Sequence, residues 1–550
     1  MLKALLSGAA VTVAGCSGNQ GGESTETDAS DGNSGIEQPT DADVSDGTDM
    51  AGTTVSTDTG EFAITFTQGA GAVTLDPHNH STPETYDAHA AVYEQLLFVD
   101  GGGDIQPMLA SDWERLDPLR VKFTIREGVT FHNGDELTPE DVRYSVKRVA
   151  DDDFGIVSPQ STSYRNITGF EINEDENSII LETEAPDVLL VRKLANGLPI
   201  VSKNFVESNS EQELATTANG TGPFTVTEFE EDNIFVAERF DDYWGWPWLT
   251  EQGFPQVTEF TMEAVPESST RASRALAGES DITNRIAAAD YDRLGDLLEL
   301  YQTDRYEYMK MKAGVEPFDS VEVRKAFNYA VDLETLNETF FDGQALLAGQ
   351  PIPPFWVGHN EEIEPYPFDL DQAQELMSQS PYASDEIELE LHTAVGALAS
   401  DLDITQAVAG MLEEIPNVQV DVVERDFASL FSTLRGPIDG KPDFYRSSTG
   451  GSPGEAIAGK LERMFHAEGS GTLWEDEETT QLIDEAKEAT TIEERAEISK
   501  EAAQVIHDKA PDIFLWWRPS AIALSDRVAY EPFTDESFYM QLVEDARGDN

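Results

Sequence analysis

Residues Val121–Val149 read VKFTIREGVTFHNGDELTPEDVRYSVKRV, and two different periodicities meet inside them. Val121, Phe123 and Ile125 alternate with polar neighbours, the period of a strand with one buried face. Gly128–Val129 then turns the chain towards Phe131. From Leu137 the period changes. Thr138 is suited to cap a helix, Pro139 to fill its first position, and Asp141 to return a bond to the cap. Val142, Val146 and Val149 follow along one helical face. A strand that runs through a turn into a capped amphipathic helix predicts a mixed α/β chain.

Outward from that stretch the same two periods recur. Glu61–Gln68 opens the globular part as a strand, and Phe224–Phe229 and Ile234–Phe240 alternate around the acidic turn Glu230–Asn233. Val321–Phe341 carries Val323, Phe327, Ala330 and Val331 at helical spacing, and Asp369–Met377 repeats the pattern. Ile387–Leu391 is expected as a strand, Ile404–Leu412 as a helix, and Val418, Val420 and Val422 as another strand. Thr479–Ile506 should hold two helices, followed by the apolar strand Ile513–Trp517. No internal repeat appears at solenoid or propeller periods. At 550 residues the chain exceeds one core, so two or three lobes are expected.

Charge sets the surroundings. Against 106 Asp and Glu stand 35 Lys and Arg, a formal charge of −71, and only 13 of those bases are Lys. Acidity with lysine depletion points to concentrated salt, where at ~1 M the Debye length is ~3 Å and neighbouring like charges barely interact. In dilute buffer the same surface would strain its own compact state. The acids are spread over the whole chain, so they read as a solvent-facing coat. A surface this negative excludes nucleic acid as a partner. With 27 Phe and 8 Trp, the chain is not a disordered acidic polymer.

The first 16 residues, MLKALLSGAAVTVAGC, place Lys3 before an apolar run too short to span a bilayer, and end on the only cysteine, Cys16. Val-Ala-Gly-Cys resembles a prokaryotic lipobox, so residues 1–16 are expected as a lipoprotein signal peptide with Cys16 the lipidated residue. Residues 17–60 contain no Lys or Arg and are dominated by Ser, Thr, Gly, Asp and Glu, the composition of a disordered acidic tether.

Chemical motifs are sparse. His78-Asn79-His80 could share a strand face, but no third soft ligand sits nearby and Leu75-Asp76-Pro77 reads as a turn, so a solvated loop is expected and no metal site. There is no His-Glu-x-x-His or P-loop, and no catalytic residue is nominated. With 106 acids, any carboxylate pair suited to glycoside hydrolysis arises by chance. Aromatics and arginines carry more. Tyr243–Trp248 holds three Trp in five residues and reads as core packing. In Trp516-Trp517-Arg518 a strand would send alternate residues to opposite faces, one Trp into a core and the next towards a cleft.

Several blocks together resemble family 5 of the extracellular solute-binding proteins of ABC importers, the oligopeptide-, dipeptide- and nickel-binding group. They are Leu75–His78, Tyr93–Leu97, Pro107–Trp113, Phe123–Gly134 into Leu137–Val142, Gly220–Phe224, Asp242–Gly245, Val323–Asp332, and Glu494-Arg495 leading to Ala510-Pro511. They lie in order over nearly everything after the tether.

The resemblance implies an α/β, two-lobed periplasmic-binding-protein-like fold of type II with an extra subdomain on lobe I. Lobe I would be 61–312 with the extra subdomain at about 85–215, lobe II 313–512, and 513–550 a return to lobe I. It implies a monomer that binds a small-molecule or peptide solute between closing lobes and delivers it to a permease and ATPase complex. The lipid anchor would hold it at the outer face of the membrane, and no cofactor is implied.

By the same resemblance Ser81, Thr82 and Pro83 meet the ligand backbone from lobe I. Arg446, with Thr449 on the same strand, faces a ligand carboxylate from lobe II; Phe427 and Arg435 contribute upstream of it, and Trp517 forms an aromatic wall with Trp516 and Arg518 beside it. In one respect the chain departs from peptide binders. After Arg446 the run Ser447–Gly454 offers no acid for a peptide ammonium until Glu455, and a buried ammonium without a carboxylate is costly. The alternative reading is a surface-anchored hydrolase working through an Asp/Glu pair.

Overall fold

The structure, a computed structural model, describes residues 62–546 apart from 81, 101–103, 152–153, 155, 157, 159, 248, 250–256, 396–399, 451–456 and 535. The leader, Cys16, the tether, Ser81 and Glu455 lie outside the described residues.

The strands, in chain order, are β1 (Ala63–Gln68), β2 (Leu97–Val99), β3 (Ile105–Pro107), β4 (Ala110–Asp117), β5 (Arg120–Ile125), β6 (Ile167–Asn173), β7 (Ser178–Thr183), β8 (Phe224–Glu230) and β9 (Ile234–Arg239). There follow β10 (Glu259–Ala264), β11 (Ile282–Asn284), β12 (Leu298–Met311), β13 (Leu346–Leu347), β14 (Ile387–Val395), β15 (Val418–Asp426), β16 (Phe444–Thr449) and β17 (Asp512–Leu524). The large sheet runs β15-β14-β16-β12-β17-β11-β1-β10-β9-β8, with β13 also on β17.

Two long strands join the lobes of this type II fold. β12 and β17 pair antiparallel along their lengths but change neighbours halfway. The C-terminal half of β17 pairs with β11, while the C-terminal half of β12 pairs with β16. Between Gln302↔Pro519 and Tyr306↔Trp517 the register slips, so Thr303, Asp304 and Arg305 oppose Arg518 alone. An insertion of this kind bends the strand and increases its local twist. Thr303 donates its hydroxyl to the Arg518 carbonyl at 2.6 Å, and the Asp304 amide bonds Thr534 O at 2.8 Å, so the irregular segment is held.

The apolar cores divide on either side of that crossing. One gathers Phe62, Phe66, Phe224, Phe260 and Ile282 with Ile522 and the C-terminal Phe533–Val543 stretch. Two others, on opposite faces of the second half of the sheet, gather Met309, Phe327, Leu391, Phe444 and Trp516, and Tyr306, Tyr445, Phe514 and Trp517.

The extra subdomain has its own sheet, β4-β5-β7-β6, and its own core. In it Val121, Phe123 and Ile125 are buried as their alternation predicts. The helix Pro139–Ala150 packs against them with Val142, Val146 and Val149, and Asp141 accepts from the Thr138 amide at 3.0 Å. Gly220 and Gly222 lie so close to Val92 that a Cβ on Gly220 would stand 1.8 Å from its carbonyl oxygen, which explains glycine in that block.

Three readings change. Val321–Phe341 splits into Val321–Ala330 and Leu333–Phe341, because Val331 is extended and Asp332 caps the second helix by accepting from the Thr335 amide. His78 and His80 are buried rather than solvated, since their loop packs against the subdomain, and only Asn79 between them is exposed. Arg148 from the helix clamps Asp76 with bonds of 2.7 and 2.6 Å, His78 Nε2 meets Pro199 O, and His80 Nε2 meets His89 Nδ1 at 3.1 Å. The acidic coat is also incomplete as a description, because Asp76, Glu94, Glu307, Asp401 and Asp512 are buried.

Candidate functional site

The strand crossing concentrates charge in the interior. Glu307 projects from β12 opposite Trp516 of β17, has no exposed surface, and accepts three bonds. Arg446 Nη2 donates at 2.6 Å, Arg518 Nη1 at 2.7 Å and Trp516 Nε1 at 2.9 Å. Burial works to raise the Glu307 carboxyl, but the two guanidiniums and the bonds from Arg518 and Trp516 outweigh it and hold it at about 2. Arg446 also donates to Asp401 at 2.5 Å, at the start of the helix Asp401–Leu412. Burial pulls its guanidinium down, and the two carboxylates more than reverse this. A buried carboxylate between two arginines is worth most when all its partners are present, and its loss leaves uncompensated charge.

A second charged group abuts the first. Arg305, in the irregular segment of β12, pairs with Glu536 from the C-terminal stretch, and Glu536 also feels Arg285 and Arg518. Arg285, at the end of β11, pairs with Glu84 in the first turn of the helix Pro83–Ala90. Charged contacts therefore run from the helix Pro83–Ala90, across the strand crossing, to Asp401. Gly450 lies against the crossing as well: a Cβ there would stand 2.3 Å from Arg305 Cα.

The structure brings Arg446, Trp516 and Arg518 together through Glu307. Arg518 also lies over the Phe341 ring at 4.9 Å. Thr449 ends the Arg446 strand, is buried, and accepts from Arg463. Trp516 and Trp517 are both buried; Trp517 takes the opposite face, near Tyr306 and His359, and its Nε1 has no hydrogen-bond partner.

Thr82 and Pro83 begin the Glu84 helix, where Thr82 Oγ1 bonds Thr85 Oγ1 at 2.7 Å. Phe427 and Arg435 are set apart from the crossing. They lie along the helix Phe427–Leu434 beyond the end of β15, with Phe427 stacked on Phe431 at 5.4 Å and the Arg435 guanidinium 4.2 Å from the Phe431 ring centre.

Glu307, Asp401, Glu84, Arg285, Arg305 and Glu536 were not legible as site residues. Among 106 acids nothing local marks these four for pairing inside the fold, and the arginines that pair with them are separated by up to 231 positions. Among the described residues no group of three or more His, Cys, Asp or Glu is placed to hold a metal ion, and no helix is long and apolar enough to cross a membrane.

Residues 104–470 match the family model described as bacterial extracellular solute-binding proteins, family 5 middle. Heme-binding protein A of Haemophilus influenzae is 25% identical over 492 residues, covering 82% of this chain and 86% of its own. The dipeptide-binding protein of Escherichia coli is 23% identical over 499 residues, 84% of this chain and 89% of its own. A periplasmic binding protein from Helicobacter pylori, solved with the peptide STSA, superposes with a TM-score of 0.73 at 22% identity over 88% of this chain and 99% of its own.

Proposed function

Because the chain belongs to the bacterial extracellular solute-binding proteins, family 5, we propose that it is the extracytoplasmic receptor of an ABC importer, taking up a peptide-like solute between its lobes. Lobe I (61–312 and 513–550, with the subdomain 85–215) and lobe II (313–512) close on the solute and present it to a permease and ATPase complex. Cys16 carries the lipid anchor, residues 17–60 are the tether, and the receptor works as a monomer in brine. The observation that carries this reading is the strand crossing. Separate cores joined by two continuous strands allow the lobes to rotate about a short segment, and charged side chains converge there.

Two of the relatives above support a peptide as the first solute class to test, one by its name and one by the peptide it holds. The acids at the crossing fit binding better than proton transfer, since Glu307 is held ionised by two arginines and is unsuited to act as a general acid. Arg446 already serves two carboxylates, so a solute carboxylate reaching it would bring a third negative charge to one guanidinium.

The experiment is mass spectrometry of the solute that co-purifies, followed by titration of that solute and of dipeptides by calorimetry in concentrated salt. Saturable binding without turnover supports the receptor. Release of a cleaved product would replace it with the hydrolase. For the anchor, Cys16→Ser should move the protein out of the membrane fraction, and continued tight association would refute lipidation at that residue.

A further inference from the structure

β1 and β11 are parallel neighbours whose C-terminal ends lie at the same edge of lobe I. In sheets of this kind, ligands bind beyond the carboxyl ends of parallel strands. β1 leads to the helix that begins at Pro83 and carries Glu84 in its first turn; β11 leads directly into Arg285. Arg285 adopts a left-handed backbone with φ of 51°, uncommon for a non-glycine residue and concentrated at functional sites. Its carbonyl is held by Arg271 Nη2 at 2.8 Å, and its guanidinium donates to Glu84. This pair reaches solvent more than the Glu307 cluster: its side chains are 28% and 13% exposed, against 11% for Arg518, 4% for Arg446 and none for Glu307. Beside it, the buried Asn284 Oδ1 has no hydrogen-bond partner.

Resting on the receptor reading above, we propose that Arg285 and Glu84 recognise the two charged ends of a short zwitterionic solute, of amino-acid to dipeptide size. The solute carboxylate pairs with Arg285 and its ammonium with Glu84. The two charges must arrive together. A solute bringing a carboxylate alone would take Arg285 from Glu84 and leave a largely buried carboxylate uncompensated, and an ammonium alone would take from Arg285 the carboxylate it donates to, leaving it only the fields of Glu536 and Asp87. Lobe II supports the assignment. Arg446 is engaged by Glu307 and Asp401, and Ser447–Gly450 contributes no acid for an ammonium. Exchanging one internal ion pair for two pairs to the solute keeps every charge matched and adds one charge-assisted bond net.

The test titrates the full chain in concentrated salt with leucyl-leucine, its N-acetyl form and its C-terminal amide. The wild type should bind the free dipeptide at least tenfold more tightly than either capped form. In Glu84→Gln the preference over the N-acetyl form should disappear while the preference over the amide persists; Arg285→Gln should do the reverse. Glu84→Asp and Arg285→Lys, which keep the charge, should retain both preferences, and they stand in if a neutral variant fails to fold. Equal losses for free and capped dipeptides, or no loss, would overturn the assignment and leave the receptor reading in place. Failure of the wild type to bind any of the three, with another solute co-purifying, would overturn both this assignment and the peptide class.

Discussion

Glu307→Gln is the sharpest test of the strand crossing. The substitution preserves shape and removes one charge from a carboxylate that has no exposed surface and receives bonds from Arg446, Arg518 and Trp516. A carboxamide has one oxygen to accept with, and its NH2 group must face donors. Removing one member of a buried ion pair typically costs ~3–5 kcal/mol. Two features place this case at the lower limit: Arg446 keeps Asp401, and Arg518 is slightly exposed and so recovers some hydration. About 3 kcal/mol, at the ~2–4 °C per kcal/mol typical of domains of roughly 150–250 residues, corresponds to a fall of roughly 6–12 °C.

The assay is thermal unfolding by circular dichroism, wild type against variant, at ~1 M salt and above. The exposed coat is screened there, but solvent ions do not enter the interior, so the difference should persist as salt is raised. The pH dependence carries a sign as well. Glu307 is held at about 2 when folded against 4.5 otherwise, so its contribution is present above pH 4.5 and is lost as pH falls towards 2. The variant should show a flatter acid limb. A loss below about 1 kcal/mol, or one that vanishes with added salt, would show that the cluster is not the buried, interdependent unit described here.

His78 and His89, pushed down to about 4 by burial from 6.5, bind protons in the unfolded chain before they do in the folded one, so stability should fall as pH drops from 6.5 to 4. His89→Asn should flatten that limb of the Tm profile, and an unchanged slope would refute the burial argument. Gly450→Ala would place a methyl 2.3 Å from Arg305 Cα and 2.7 Å from its nitrogen, backbone atoms that cannot swing aside. A loss of ~1–3 kcal/mol is expected in denaturant unfolding, and a neutral result would mean the strand does not approach the crossing so closely. Dialysis to ~0.1 M salt, where the Debye length lengthens to ~10 Å, should unfold the wild type as its charge of −71 becomes unscreened. Retention of the native circular dichroism spectrum would refute the brine reading.

The strand and helix within Val121–Val149 were legible because their signals are local. Thr138, Pro139 and Asp141 specify a helix start within four residues, and the valines behind them state which face is buried. The strand ends were less legible: Ile387–Leu391 extends to Val395, and Ile513–Trp517 extends back to Asp512 and on to Leu524. Past Leu391 the apolar alternation fades, and past Trp517 Arg518-Pro519-Ser520 interrupts the apolar run; pairing with a neighbouring strand maintains the extended backbone. Val331-Asp332 interrupts an otherwise continuous helical pattern, since the Asp332 carboxylate caps a new helix more effectively than it serves inside one. Of the site, the aromatic and arginine residues on β17 could be nominated from the sequence, but the carboxylates that hold them could not.

By itself the sequence determined what depends on nearest neighbours and on totals: a strongly acidic chain, alternating strands and helices, and ordered blocks shared with a solute-binding family. Tertiary structure alone decided which few of the 106 acids leave the solvent. An acid's environment depends on what long-range pairing brings beside it. Glu307 is buried because β12 lies between β16 and β17, which bring Arg446 and Arg518 to it from positions 139 and 211 residues away.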